Sequence, residues 1–110
     1  MNYIEDIMQK LCAECRTVFG DKLEKVILYG SQARGDFDSE SDVDVIVLAD
    51  IDASESTAYR KKLLNVTSAL GLQYDTLVSV VVCDLETYVK WKDILPYFMN
   101  IEKDGINYAA

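Results

Sequence analysis

The chain has 110 residues, half of them apolar, a single proline and a formal net charge of −8. Together these values predict one globular domain spanning residues 1–110. The acidic excess argues against an extensive nucleic-acid surface, which needs basic residues to displace counterions. The sequence contains no histidine, which excludes histidine bases and histidine zinc ligands, so catalysis would have to use carboxylates, hydroxyls, amines or metal ions.

The N-terminal segment MNYIEDIMQK is charged and amphipathic, unlike a secretory signal. The sequence also lacks an apolar run of about 18 residues, the length that a membrane-spanning helix needs. These features predict a soluble, cytoplasmic protein with no membrane partner.

Residues 3–19 predict the first helix, because their apolar side chains recur at helical spacing and Gly20 follows as a favourable helix end. Cys12 and Cys15 lie within this helix in a C-x-x-C arrangement. A zinc site would need a second pair of ligands, and the sequence offers only Cys83 and no histidine. We therefore expect ordinary buried or half-buried thiols rather than a zinc or redox site.

The rest of the chain alternates strands and helices. The predicted elements are, in order, strand 24–29, strand 43–48, helix 56–70 ended by Gly71, strand 74–82, helix 85–95 capped by Asp84, a short helix from Pro96, and a strand-like end at 106–108. This order predicts an α+β fold with a small mixed β-sheet flanked by helices.

The segment GSQARGDFDSESDVDVIV, residues 30–47, joins a glycine-containing turn to a run of acidic residues. Gly30 and Gly35 have the spacing of a P-loop, but Asp-Phe follows where that motif requires Lys and then Ser or Thr. A calcium loop starting at Asp36 would lack its central glycine and its final glutamate. Neither motif therefore explains the segment, and its acids at positions 36, 38 and 40 are expected to be exposed loop residues.

The same segment is better explained as two separate devices. Gly30 permits a tight turn after a strand, and Ser31 begins a short helix whose free N–H groups and hydroxyl can receive a phosphate. Asp42 and Asp44 are one residue apart on the next strand, so both carboxylates lie on one face, about 6–7 Å apart. A carboxylate pair opposite a phosphate-binding turn predicts a site for a metal-bridged triphosphate.

These residues resemble the G-S-x-A-R-G-x(n)-S-D-x-D signature of the minimal nucleotidyltransferases of the DNA polymerase β-like superfamily. The matching positions are Gly30, Ser31, Ala33, Arg34, Gly35, Ser41, Asp42 and Asp44. The resemblance covers most of the chain. It implies a polymerase β-like nucleotidyltransferase fold and an enzyme that transfers a nucleoside monophosphate from an NTP, most simply AMP from ATP.

The resemblance also implies the site residues. Asp42 and Asp44 would hold Mg²⁺, with two ions expected, and would be catalytic. Gly30 and Ser31 would contact the triphosphate, and Arg34 would either contact a phosphate or pair with a loop acid.

Members of this superfamily usually carry a third carboxylate on a later strand. The only acid in the predicted strand 74–82 is Asp75, near its start, whereas alignment from the following helix places the expected acid at Ser79. These positions are about 13 Å apart along a strand. Either Asp75 completes the site, or Ser79 has replaced the third acid and the enzyme is weakened.

The resemblance finally suggests a partner. Small free-standing domains of this type resemble the antitoxins of HEPN/MNT toxin–antitoxin pairs, which implies AMP transfer to a hydroxyl of a HEPN ribonuclease toxin. The alternative is a catalytically weakened module that binds nucleotide and neutralises its partner by complex formation. The sequence has seven tyrosines, which are compatible with a partner surface or an oligomer.

Overall fold

The computed structural model describes residues 3–35 and 42–109. Four strands and five α-helices make up this part of the chain. Their bounds are α1 Tyr3–Phe19, β1 Leu23–Tyr29, α2 Ser31–Arg34, β2 Val43–Ala49, α3 Ser56–Tyr74, β3 Val78–Asp84, α4 Leu85–Trp91, α5 Pro96–Asp104 and β4 Ile106–Asn107. The predicted loop acids Asp36, Asp38 and Glu40, and Ser41 of the motif, lie outside the described residues.

The four strands form one mixed sheet in the order β3-β2-β1-β4. β1 pairs antiparallel with both β2 and β4, whereas β2 pairs in parallel with β3. The parallel pair is connected through α3, which covers the sheet as a crossover helix must. The predicted small mixed sheet flanked by helices is confirmed.

Alternating side chains on β2 divide the interior of the protein into two layers. Val43, Val45 and Val47 are fully buried in the larger cluster, on the face covered by α1 and α3. Ile46 and Leu48 are buried on the opposite face, against side chains of α4 and α5. The period of two therefore directs the even-numbered residues of β2 to the α4–α5 face.

The first helix forms as its apolar spacing predicts. Seven of its side chains are buried: Ile4, Ile7, Met8, Leu11, Cys12, Cys15 and Phe19. Both cysteines are free thiols inside this layer, and burial raises the pKa of Cys15 to about 12. The prediction that these two thiols are buried is confirmed, and a raised pKa makes a thiol a poor nucleophile.

The predicted end of the third helix and start of the third strand are wrong. α3 continues through Gly71 to Tyr74, and β3 begins only at Val78. Gly71 is needed for a close approach instead, since a Cβ there would lie 2.7 Å from the carbonyl oxygen of Thr76. Tertiary contacts extend the helix, because the Tyr74 ring stacks on that of Tyr3 at 6.0 Å.

The C-terminal third follows its cap signals. The Asp84 carboxylate accepts a 2.9 Å hydrogen bond from the Thr87 N–H and so caps α4, as predicted. This helix ends at Trp91, four residues before the predicted end, and α5 starts at Pro96. Among the described residues, no helix combines the length and apolar character that crossing a bilayer requires.

Candidate active site

Three polar side chains form a row across one end of the sheet. Tyr29 of β1 pairs with Asp44 of β2, and Asp44 pairs in turn with Ser79 of β3. Residues directly opposite one another in a sheet project to the same face. All three are half-buried, so the row remains partly accessible to solvent.

The turn after β1 touches the central carboxylate of this row. Gly30 has φ 75° and ψ −155°, a conformation that only glycine adopts without strain. A Cβ at this position would lie 2.8 Å from Oδ2 of Asp44. The glycine turn and the Asp44 carboxylate, which the sequence predicts as separate features, are therefore adjacent. The missing side chain at Gly30 leaves room for the carboxylate.

α2 is a single helical turn that starts at this glycine. The Arg34 N–H donates to the Gly30 carbonyl at 3.1 Å, and the Gly35 N–H donates to the Ser31 carbonyl at 3.0 Å. Ser31 is half-buried at the start of the turn, and Arg34 is exposed at its end. Of the predicted phosphate contacts, Gly30 and Ser31 lie at the end of the turn nearest to Asp44, and Arg34 lies at the other end.

The carboxylate pair has the oxygen chemistry of a magnesium site. Asp42 is exposed immediately before β2, and the N–H of the intervening Val43 donates to the Leu77 carbonyl at 2.8 Å, which fixes the start of the strand. Burial, followed by the negative charge of Asp42, raises the pKa of Asp44 above its ordinary value. A cation would relieve this repulsion.

A pair of carboxylates also fits Mg²⁺. Within residues 3–35 and 42–109, no group of three or more acidic or cysteine side chains forms a complete metal-binding cluster. Mg²⁺ is commonly held by one or two carboxylates, with water and substrate phosphates completing its coordination. Asp42 and Asp44 therefore suit an ion that arrives together with a nucleotide.

The raised pKa of Asp44 has a testable consequence for stability. Because its folded-state pKa is above the unfolded value, its contribution is favourable at low pH and is lost as the pH rises through the folded pKa. At pH 7 without metal, Asp44→Asn removes this partly buried charge and its repulsion with Asp42, so it should raise the melting temperature. Thermal denaturation in EDTA measures this shift, and a lower melting temperature for the variant would contradict it.

The structure separates the two candidates for the third acid position. Ser79 lies next to Asp44 in the sheet. The prediction that Asp75 lies on the third strand is wrong, because Asp75 follows the last helical residue with φ 51° and ψ 52° and ends α3. Asp and Asn tolerate this left-handed conformation better than most residues, which accounts for an Asp here.

Tyr29 of the row packs against a second tyrosine, Tyr97, a contact that the sequence did not reveal. The hydroxyls of Tyr29 and Tyr97 share a 2.7 Å hydrogen bond, and the rings meet edge to face at 5.7 Å. Burial, the bond to Tyr97 and the charge of Asp44 raise the pKa of Tyr29, so its hydroxyl stays neutral. Tyr29 could have been identified from the sequence, because it directly precedes Gly30. Tyr97 could not, because it lies on a helix far away in the sequence.

Residues 8–104 match the family model described as a nucleotidyltransferase domain. The relative named "Putative protein adenylyltransferase MJ0141", from Methanocaldococcus jannaschii, is 38% identical over 79 residues, covering 72% of this chain and 78% of the relative. A second protein of that organism, "Putative protein adenylyltransferase MJ0604", is 26% identical over 101 residues, covering 92% of this chain and 93% of the relative.

Two solved structures share the fold. A toxin–antitoxin structure with AMP-PNP has a TM-score of 0.55 at 22% identity, with 91% of this chain and 70% of that chain covered. A complex of an MNT antitoxin with tri-AMPylated Shewanella oneidensis HEPN toxin has a TM-score of 0.51 at 20% identity, with 94% and 69% covered. At these identities the similarity is one of fold, and it agrees with the mixed α+β architecture.

Proposed function

The chain belongs to the nucleotidyltransferase-domain family, and from this premise we propose that it transfers AMP from ATP, with Mg²⁺, to a hydroxyl of a partner protein. The observation that carries the proposal is the contact between the Gly30 turn and the Asp44 carboxylate. A phosphate-binding turn and a metal-binding carboxylate must adjoin if both are to hold one triphosphate. The names of the relatives, protein adenylyltransferases, support AMP as the transferred group.

In this mechanism each element has a defined task. Asp42 and Asp44 would hold Mg²⁺, which when bound neutralises the triphosphate and the charge that develops during transfer. The backbone after Gly30 and the Ser31 hydroxyl orient the phosphates against the row on the sheet. The acceptor oxygen then forms a bond to the α-phosphorus as the bond to the β-phosphate oxygen breaks, and pyrophosphate leaves.

The group that takes the proton from the acceptor hydroxyl decides whether the enzyme is efficient or weak. The row contains one carboxylate, Asp44, and two neutral hydroxyls, Tyr29 and Ser79. A serine hydroxyl does not accept a proton at neutral pH, so Ser79 cannot replace a carboxylate base. The acceptor proton would pass to water or to a group that the partner contributes.

We further propose that the partner is a HEPN toxin and that this chain acts as its antitoxin. The support is the fold similarity to the MNT antitoxin bound to an AMPylated HEPN toxin.

The test is a labelling reaction. Purified protein, labelled ATP and Mg²⁺ are incubated with the product of any neighbouring toxin gene. Wild type should label the toxin and release pyrophosphate, and Asp44→Asn should not. Equal labelling by the two proteins, or no labelling by either, would contradict the enzymatic proposal.

A weakened nucleotide-binding module is the second candidate, and Ser79 favours it. The residue beside Asp44 on β3 is a neutral hydroxyl where the superfamily usually has an acid. Calorimetry with Mg²⁺ and ATP, followed by an assay for pyrophosphate, separates the candidates. Nucleotide binding without pyrophosphate release in the presence of the partner would support the module.

Ser79→Asp provides a prediction specific to this position. A third carboxylate beside Asp44 should tighten Mg²⁺ or Mn²⁺ binding by on the order of tenfold, because affinity rises with the number of charged ligands. Without metal the added charge should lower the melting temperature. Calorimetric metal titration measures the first effect, with Ser79→Asn as the uncharged control of similar size. If the two variants bind metal equally, Ser79 does not face the site.

A further inference from the structure

β3 is an outer strand of the sheet, and within residues 3–35 and 42–109 no strand pairs with its outward edge. The Val43 N–H donates to the Leu77 carbonyl, so in the parallel ladder the odd-numbered residues of β3 bond to β2. Val78, Val80 and Val82 therefore direct their N–H and C=O groups away from the sheet. Natural proteins usually protect such an edge with lysine, proline or a bulge, but β3 reads VSVVVCD and pairs with β2 in a regular register.

An apolar groove of about 650 Å³ runs along this edge, between β3 and α3. Three large apolar side chains that line it are exposed to solvent: Leu64 by 45%, Leu72 by 86% and Leu77 by 60%. A fourth, Val81, is 40% exposed on the opposite face of the same strand edge. Exposed apolar side chains gathered on one face indicate a contact surface more often than isolated ones do. The groove thus combines unpaired backbone groups with an apolar lining, which suits a β-strand that brings its own apolar layer.

The α3 wall of the groove is self-complementary. Leu64, Ser68 and Leu72 are spaced four residues apart and line the same side of the helix. A two-fold axis at Ser68 would place Leu64 opposite Leu72 of a second copy, with the small serines in contact at the crossing. The same axis places Arg60, the charged residue of the lining, beside the exposed Asp75 of the other copy. Apolar residues and charges would both be matched.

We propose that this groove is the interface of a symmetric dimer, in which the two β3 strands pair antiparallel and form one eight-stranded sheet. The register that overlaps the whole strand places Val81 opposite Val81 of the second copy. Val80 then bonds with Val82, and Val78 with Asp84, so the outward N–H and C=O groups are satisfied. The crossover helices α3 pack against each other above this junction, at Ser68.

The size of the apolar surface is consistent with a dimer. The exposed parts of the four side chains amount to roughly 400 Å² per copy, so a pair would bury about 800 Å² before the strand edges are counted, against about 1,200 Å² for a small specific interface. A helical partner would leave the outward groups of Val78, Val80 and Val82 without backbone partners. The interface gives Asp75 a role outside catalysis and does not depend on the proposed function.

The first test is the oligomeric state in solution. Wild type should sediment as a dimer at micromolar concentration. Leu72→Glu should weaken dimerisation at least about 100-fold, because two carboxylates then replace two apolar contacts. Leu72 is 86% exposed, so the monomer should still fold. Val89→Glu, on α4 at 56% exposure, is the matched control and should remain dimeric. A monomeric wild type, or a Leu72→Glu variant that stays dimeric, overturns the proposal.

The second test measures the register. Val81→Cys places two thiols opposite each other in a non-hydrogen-bonded pair, with Cα atoms about 4.5–5.5 Å apart, within disulfide range. Mild oxidation should convert this variant to a covalent dimer. Wild type is the control, because Cys83 would lie opposite Ser79 and should not crosslink. A dimer that fails to crosslink at Val81, or that crosslinks equally well in wild type, is not paired through β3 in this register.

Discussion

Asp44→Asn is expected to reduce nucleotide transfer by about 10²–10³-fold while the protein stays folded. The substitution removes one of the two carboxylates proposed to hold Mg²⁺, and electrostatic stabilisation of this kind is worth several kcal/mol in the transition state. It keeps the size of the side chain, so the contact with Gly30 is preserved. Initial rates of pyrophosphate release in the presence of the partner measure the loss.

The control for this variant lies just beyond the other end of the same strand. Asp50 is an exposed acid directly after β2, and Asp50→Asn removes the same charge without touching the row. Its transfer rate should remain within about twofold of wild type. Equal losses in the two variants would mean that net charge, not the Asp44 carboxylate, governs the rate.

Gly30→Ala is expected to cause the second large loss. The new Cβ would meet Oδ2 of Asp44 at 2.8 Å, and the backbone at Gly30 is in a region that alanine avoids. We expect a loss of about 1–3 kcal/mol in the free energy of unfolding. Displacement of Asp44 by the methyl group should further reduce transfer by about 10²-fold. Rates should be measured at a temperature at which the variant is folded.

Gly35→Ala is the control that separates backbone strain from the clash between a side chain at position 30 and Asp44. Gly35 also has a positive φ, 82°, but no described atom lies within 4 Å of a Cβ built there. It should therefore lose about 1–2 kcal/mol of stability from backbone strain and keep its transfer rate within a few-fold. If both alanine variants lose activity to the same extent, the contact between Gly30 and Asp44 does not matter for function.

Local periodicity was sufficient to predict the elements that carry the candidate site. Alternation alone directs Asp44 to the face opposite Val43, Val45 and Val47. Gly30 follows the last residue of β1, and its positive φ turns the chain away from the strand. Both conclusions depend only on neighbouring residues. They could be drawn from the sequence because strand geometry leaves no other arrangement once one face is buried.

The failures have a different origin, since they depend on contacts between distant residues. Gly71 has the appearance of a helix stop, yet contacts of Tyr74 with Tyr3 and with Lys10, whose Nζ lies 3.1 Å from the Tyr74 hydroxyl, extend α3 beyond it. This extension moves Asp75 off the strand. Tyr97 joins Tyr29 only because α5 packs across the sheet, 68 residues further along the chain.

Because Gly30 and Asp44 are in contact, we expect substitutions at these two positions of the motif to depend on each other in evolution. As long as an aspartate stands at position 44, its carboxylate occupies the volume that any side chain at position 30 would need. A descendant that abandons catalysis and acquires a smaller residue at 44 would relax the steric part of this constraint. Glycine at 30 would then drift, starting with alanine. Within a family tree, the loss of the aspartate should therefore precede the loss of the glycine, and the glycine alone would be a poor indicator of activity.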